Sequence, residues 1–182
     1  YMVLEHLSGQ NLRQHVKEAG RQPEDKVISL ALQMCNILEY LHSQEPCVVH
    51  RDFTPDNLIL GVDGNLRLID FNVAQILDQS TITTGTVVGK PSYLAPEQFQ
   101  GEPTHLSDIY SMGATLHYLL TGTDPLPISQ SLPAQIVPTV SARMDLVVAT
   151  CTSYEQSIRY CSAGDLRAAL SAQDGVSVAG VV

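Results

Sequence analysis

No apolar run in this sequence approaches the roughly 18 residues that would suggest a membrane-crossing helix, and 44% hydrophobic content fits a soluble globular chain. Basic residues are scarce. Ten Lys and Arg stand against nineteen Asp and Glu, a net charge of −9. That deficit argues against nucleic acid or an anionic membrane as partner, since both reward clustered cations. The four cysteines (Cys35, Cys47, Cys151, Cys161) make no C-x-x-C pair, and the six histidines no H-E-x-x-H spacing. Free thiols in a reducing cytoplasm are therefore expected, with no structural zinc. The opening Tyr1-Met2-Val3-Leu4-Glu5 has no basic region or cleavage site and is not read as a signal peptide. It begins inside an apolar, strand-like run without an initiator Met, and the chain is read as a fragment holding one domain.

What is present is mostly helical patterning. Tyr1–Glu5 reads as the end of a strand, broken by Ser8-Gly9. Asn11 caps a short helix to about Ala19, stopped by Gly20, and Pro23-Glu24-Asp25 starts a longer one to about Ser43. In the latter, Val27, Leu30, Ala31, Met34, Leu38 and Leu41 recur at three- and four-residue steps, so one face is buried. Two short strands, Leu58–Leu60 and Leu66–Ile69, flank the turn Asp63-Gly64-Asn65. A Thr-rich segment covers about Gln75 to Lys90 without clear period. A helix from about Ser107 to Leu120 is apolar almost all round, which predicts a central place in the core. Thr121–Pro138 reads as loop, two helices follow near Ser141–Thr150 and Ala163–Ala172, and 173–182 read as a frayed tail. The expected fold class is mainly α with a small β-hairpin.

The chemistry concentrates in His50-Arg51-Asp52-Phe53-Thr54-Pro55-Asp56-Asn57, followed after the next strand by Asp70-Phe71-Asn72. Phosphoryl transfer needs little covalent chemistry from a protein; it needs an oriented nucleophile and held phosphate charge. Asp52 can orient or accept the proton of a hydroxyl. Asn57 and Asp70 offer hard oxygen ligands of the kind Mg²⁺ prefers. The run resembles the catalytic loop and metal-binding signature of eukaryotic-like serine/threonine protein kinases, H-R-D-L-K-P-x-N and D-F-G. Ala95-Pro96-Glu97 and Asp108-Ile109-Tyr110-Ser111-Met112-Gly113 extend the likeness in the family's order. Together these motifs imply a kinase large (C-terminal) lobe over 1–172, from the hinge to the final helix, acting on ATP with Mg²⁺ and on a protein hydroxyl in the cytoplasm.

The resemblance also assigns further roles. Glu5 and Leu7 would offer hinge backbone groups to adenine, with Leu4 at the gatekeeper position. Asn11 would lie near the ribose and Ile59 would floor the base. Glu97 would pair with Arg159, and Asp108 would hold the backbone of the His50-Arg51 turn. His50 would pack and brace the loop. Arg51 would receive a phosphate carried by the segment with Thr81, Thr83, Thr84 and Thr86.

Three positions depart from the family pattern near the reacting groups. Asn72 stands for the flexible Gly and is the non-Gly residue that best tolerates positive φ. Thr54 stands for the usual Lys, while Lys90, in Gly89-Lys90-Pro91-Ser92-Tyr93, stands for the usual Thr. The pair reads as an exchange between two loops that meet at the active site, with Lys90 supplying the ammonium and Thr54 its hydroxyl partner. The sequence contains no G-x-G-x-x-G loop and no strand Lys followed by a helix Glu, so the small lobe is read as absent and the isolated chain as inactive. Two alternatives stay open: a pseudokinase scaffold, and a small-molecule phosphotransferase resembling aminoglycoside or choline kinases.

Overall fold

Local sequence signals set most of the elements seen in the computed structural model, which describes residues 8–71, 75–76 and 90–172. Strand β1 (Gly9–Asn11) runs directly into helix α1 (Leu12–Ala19), and α2 (Glu24–His42) follows. Asn11 ends the strand and caps the helix, its Oδ1 accepting from the Gln14 N–H at 2.8 Å. Next come β2 (Val48–Val49), β3 (Leu58–Gly61), β4 (Leu66–Leu68) and β5 (Gln75–Ile76), then α3 (Pro96–Phe99), α4 (His105–Thr121), α5 (Ala142–Cys151) and α6 (Ala163–Ser171). Among the described residues no helix is long and apolar enough to cross a membrane.

The expected hairpin is the β3–β4 pair, but the sheet has a third strand. Its order is β1-β3-β4, all antiparallel, with Asn11 opposite Ile59 and Ile59 opposite Arg67. Gly9 admits this pairing because a Cβ there would fall 2.3 Å from the Leu60 carbonyl oxygen. Two further short strands, β2 and β5, pair with each other. The remaining expected segments, 1–7 and 173–182, lie outside the described residues.

The predicted apolar faces form the core. Val27, Leu30, Ala31, Met34, Leu38 and Leu41 of α2 are all buried. They meet α6 and α4, and α4 in turn packs on α5. Every α4 residue from Ser107 to Thr121 is buried, and fully burying one such large apolar side chain contributes about 1.5–3 kcal/mol. Packing, more than helix propensity, therefore holds α4. It begins two residues before the sequence suggests, because Thr104 and Ser107 form a capping box: the Leu106 N–H donates to Thr104 Oγ1, and the Thr104 N–H to Ser107 Oγ. Gly113 lets α5 approach closely, since a Cβ there would sit 2.4 Å from the Cys151 Cβ. The central helix thus presents Asp108, in its first turn, to the loop that carries the chemistry.

Candidate active site

The catalytic-type loop hangs from one buried carboxylate. Asp108, with no exposed surface, accepts the His50 N–H at 2.9 Å and the Arg51 N–H at 2.8 Å. His42, at the end of α2, makes a third contact with the same carboxylate at 3.0 Å. Arg51 sits at φ 70°, a left-handed conformation uncommon for non-Gly residues. Two charge-assisted bonds from consecutive amides hold it there. The expected role of Asp108 is what the hydrogen bonds show.

His50 braces the two halves of the motif. Its ring lies edge-on to Phe71 at 5.0 Å and to Phe53 at 6.2 Å, and its Nε2 is 3.2 Å from the Ile69 carbonyl oxygen. That contact ties the loop to the chain entering Asp70, which also has positive φ, 63°. Asp70 is exposed. Its charge reaches Asp52, so the two carboxylates share one field.

Asn57 and Asp52 are joined directly. The Asn57 amide nitrogen donates to Asp52 Oδ2 at 2.7 Å and to the Asp52 carbonyl at 2.9 Å. Both partners are acceptors, which fixes the nitrogen on that side and leaves the amide oxygen turned away from Asp52. An exposed carboxylate at Asp70 and a neutral amide oxygen at Asn57 are a donor set that suits Mg²⁺. Burial pushes the Asp52 carboxyl above its ordinary value, helped by Asp70 and opposed by Asn57, His50 and Lys90. Thr54 is buried, and its backbone closes the loop: its N–H donates to the Asp52 carbonyl at 2.9 Å, and its carbonyl accepts from the Asn57 N–H at 3.1 Å.

Lys90 comes to this loop, with a partner other than the one expected. Its Nζ lies 2.5 Å from Asp56 Oδ2, one residue before Asn57, and its side chain is half exposed. Asp56 rather than the Thr54 hydroxyl holds the ammonium, because a carboxylate offers full charge where a buried hydroxyl offers a dipole. The same oxygen accepts Arg13 Nε at 2.7 Å. Burial works to raise the Asp56 carboxyl, but Lys90 and Arg13 outweigh it and hold it below its ordinary value.

Arg13 extends this into a network that motif reading did not anticipate. Its Nη2 donates to the Tyr93 hydroxyl and pairs with Asp124 Oδ1, both at 2.9 Å, while Tyr93 donates to Asp124 at 2.5 Å. The guanidinium also lies over the Tyr118 ring, 4.6 Å from its centroid. Asp56 and Tyr93 lie within the quoted motifs but carried no assigned role there, and Arg13 and Asp124 read as ordinary charged residues. Arg13 N–H to the Pro55 carbonyl, at 3.1 Å, completes the tie between α1 and the catalytic-type loop.

Of the residues assigned to the nucleotide, Asn11 and Ile59 are brought together as register partners across β1 and β3. The same two strands carry a cavity of about 490 Å³ lined by Gly9, Gln10, His15, Leu60, Gly61 and Val62, and neither Asn11 nor Ile59 lines it. Leu4, Glu5, Leu7, Asn72 and the four threonines assigned to the phosphorylated segment lie outside the described residues. Arg51, the residue assigned to a phosphate, has a buried Nε with no hydrogen-bond partner among the described residues. Farther off, Glu97 and Arg159 form the expected pair in bidentate geometry, at 2.7 and 2.9 Å.

Comparison with known proteins agrees with this geometry. Residues 1–162 match the protein kinase domain family. The chain is 31% identical to the serine/threonine-protein kinase PknB of Mycobacterium leprae, over 93% of this chain and 30% of that protein. It is 33% identical to the serine/threonine-protein kinase PknA of a Nostoc species, over 93% of this chain and 32% of that one. The chain thus spans about a third of the length of these relatives. Its helical body and small antiparallel sheet suit the large lobe of that fold. The chain belongs to the protein kinase family, on its bacterial serine/threonine side.

Proposed function

We propose that this lobe serves ATP- and Mg²⁺-dependent transfer of a phosphoryl group to a serine or threonine hydroxyl of a protein substrate. The observation that carries the reading is the Asp52–Asn57 contact in a loop suspended from Asp108. Asp52 orients the acceptor hydroxyl and takes its proton at a carboxylate oxygen. Asn57 Oδ1 and the Asp70 carboxylate hold Mg²⁺, which when bound offsets the charge of the phosphate oxygens. Lys90, held by Asp56, places an ammonium in the field of Asp52 and takes the part that Thr54 cannot. Arg13 shares Asp56 and keeps that carboxylate ionised and fixed. Asn11 and Ile59 border the nucleotide.

The sequence has no G-x-G-x-x-G loop, the part that covers the phosphates in protein kinases. The isolated chain is expected to turn over no ATP. The test uses full-length protein, labelled ATP and a protein substrate. Chelating Mg²⁺ should abolish transfer, and Asp70→Asn should lower it by about 10²–10³-fold. Full-length protein that folds yet neither binds nor turns over Mg²⁺·ATP would instead favour a scaffold role.

A further inference from the structure

The peptide unit that leads into Asp52 is held at both of its polar atoms. Its N–H, from Asp52, donates to His50 Nδ1 at 3.3 Å. Its carbonyl oxygen, from Arg51, accepts from Gln98 Nε2 at 2.8 Å. The first contact is local to the loop, because the His50 ring gives its Nε2–H to the Ile69 carbonyl and keeps Nδ1 as an acceptor. The second reaches in from a residue 47 positions later in the chain. No other described residue donates to that oxygen.

Gln98 lies in α3 and is buried. Its Oε1 accepts the Ala95 N–H at 3.1 Å, which turns the amide nitrogen toward Arg51. The neighbouring Glu97 is bound to Arg159 and Ser107, so the short helix that carries Gln98 is anchored to the core. A supporting group on an anchored element holds geometry more tightly than one on a free loop.

The Arg51 backbone explains why such a support matters. At φ 70° it is left-handed, and Asp108 holds only its N–H. The next peptide plane rotates as a unit, and its rotation changes φ of Asp52 and the direction in which that side chain leaves the backbone. We infer that Gln98 is a positioning residue for the Asp52 carboxylate: by fixing the Arg51 carbonyl it sets where the proton acceptor points. The inference rests on the reading of Asp52 as that acceptor. The same contact ties the segment that begins at Lys90 to the loop that carries Asp52, so both groups keep one relative placement.

The test is a double-mutant cycle on full-length protein, read as kcat for transfer from labelled ATP to a protein substrate. Gln98→Met keeps the length of the side chain and removes its amide. It should lower kcat by about 10–10²-fold, the scale of a small misplacement at a reacting group, with KM for ATP unchanged. In the Asp52→Asn background the same substitution should cost less than about twofold, because a carboxylate already removed cannot be misplaced. A role confined to stability would slow both backgrounds by the same factor. Gln98→Glu keeps the acceptor for Ala95 and donates only while its carboxyl is protonated, so its rate relative to wild type should fall as pH rises. It runs through the same cycle if Gln98→Met misfolds. Equal losses in the two backgrounds, a wild-type kcat in Gln98→Met, or a wild-type kcat in Gln98→Glu at every pH would overturn the inference. A wild-type rate in Asp52→Asn alone would instead remove the reading of Asp52 itself, and the inference with it, which keeps the two failures apart.

Discussion

Full-length protein carrying Asp52→Asn should transfer phosphate about 10²–10⁴-fold more slowly than wild type, the range expected when a positioned proton acceptor is removed. The substitution is nearly isosteric, and an amide oxygen turned toward Asn57 can still accept its 2.7 Å hydrogen bond. The loop should therefore survive, with ATP affinity close to that of wild type and an unchanged melting temperature. The loss would fall on the chemical step, through kcat rather than through KM for ATP. Wild type should also show an acid limb in its rate. Proton acceptance requires the carboxylate, and burial raises the Asp52 carboxyl above its ordinary value. Activity is then present above that raised pKa and lost as pH falls through it. A rate profile whose acid limb is unchanged in Asp52→Asn would separate Asp52 from proton transfer.

Arg159→Ala should destabilise the folded protein by about 3–5 kcal/mol, read from urea denaturation, because it strands Glu97 as a buried unpaired charge. Both partners are buried and the pairing is bidentate. Arg159 also donates to the carbonyls of Ser153, at 2.9 Å, and Leu106, at 3.0 Å, and lies over the Tyr110 ring. Its removal therefore leaves more acceptors unsatisfied than removal of Glu97 does. Glu97→Gln should cost less, because Ser107 Oγ, 2.6 Å from Oε1, remains to bond the amide. The pair should also carry a pH signature. Burial works to raise the Glu97 carboxyl, yet Arg159 and Ser107 hold it below its ordinary value. A depressed pKa contributes stability that is present above the unfolded-state value and is lost as pH falls through the folded-state value. The acid side of the stability curve should accordingly flatten in Glu97→Gln. Equal stability of Arg159→Ala and wild type would show that the pair holds nothing.

The parts of this fold that were legible in sequence are those written over short separations. The α2 face appears as apolar residues three and four apart, and α4 as a helix apolar all round, and both form the core. Strand β1 was hidden because Ser8-Gly9 reads as a breaker and Asn11 as a helix cap. Asn11 is a cap, but it is also the last residue of a strand whose pairing with β3 lies about fifty residues away. The start of α4 was missed because its capping box uses Ser107 at the position where Glu or Gln is the usual signal.

The site divides in the same way. Asp52, Asn57 and the His50-Arg51 turn lie within one short run, and their mutual geometry follows from it. The Arg13 network joins residues 43, 80 and 31 positions apart, and no spacing rule encodes such contacts. Hence the position of Lys90 was anticipated while its partner was not. A residue at the active site can be placed by its motif, but its ion pair is decided by whichever carboxylate the fold brings nearest.

The claim that Lys90 supplies the ammonium missing at position 54 is tested most directly by phosphotransfer rates of full-length protein across four variants. These are wild type, Thr54→Lys, Lys90→Thr and the double exchange. Lys90→Thr should lower kcat, and Thr54→Lys should place two cations beside Asp52 and Asp56. The account predicts that the double exchange is milder than either single change, a non-additivity expected of residues that share one task. Losses that simply add, or a Lys90→Thr variant with the wild-type rate, would contradict it.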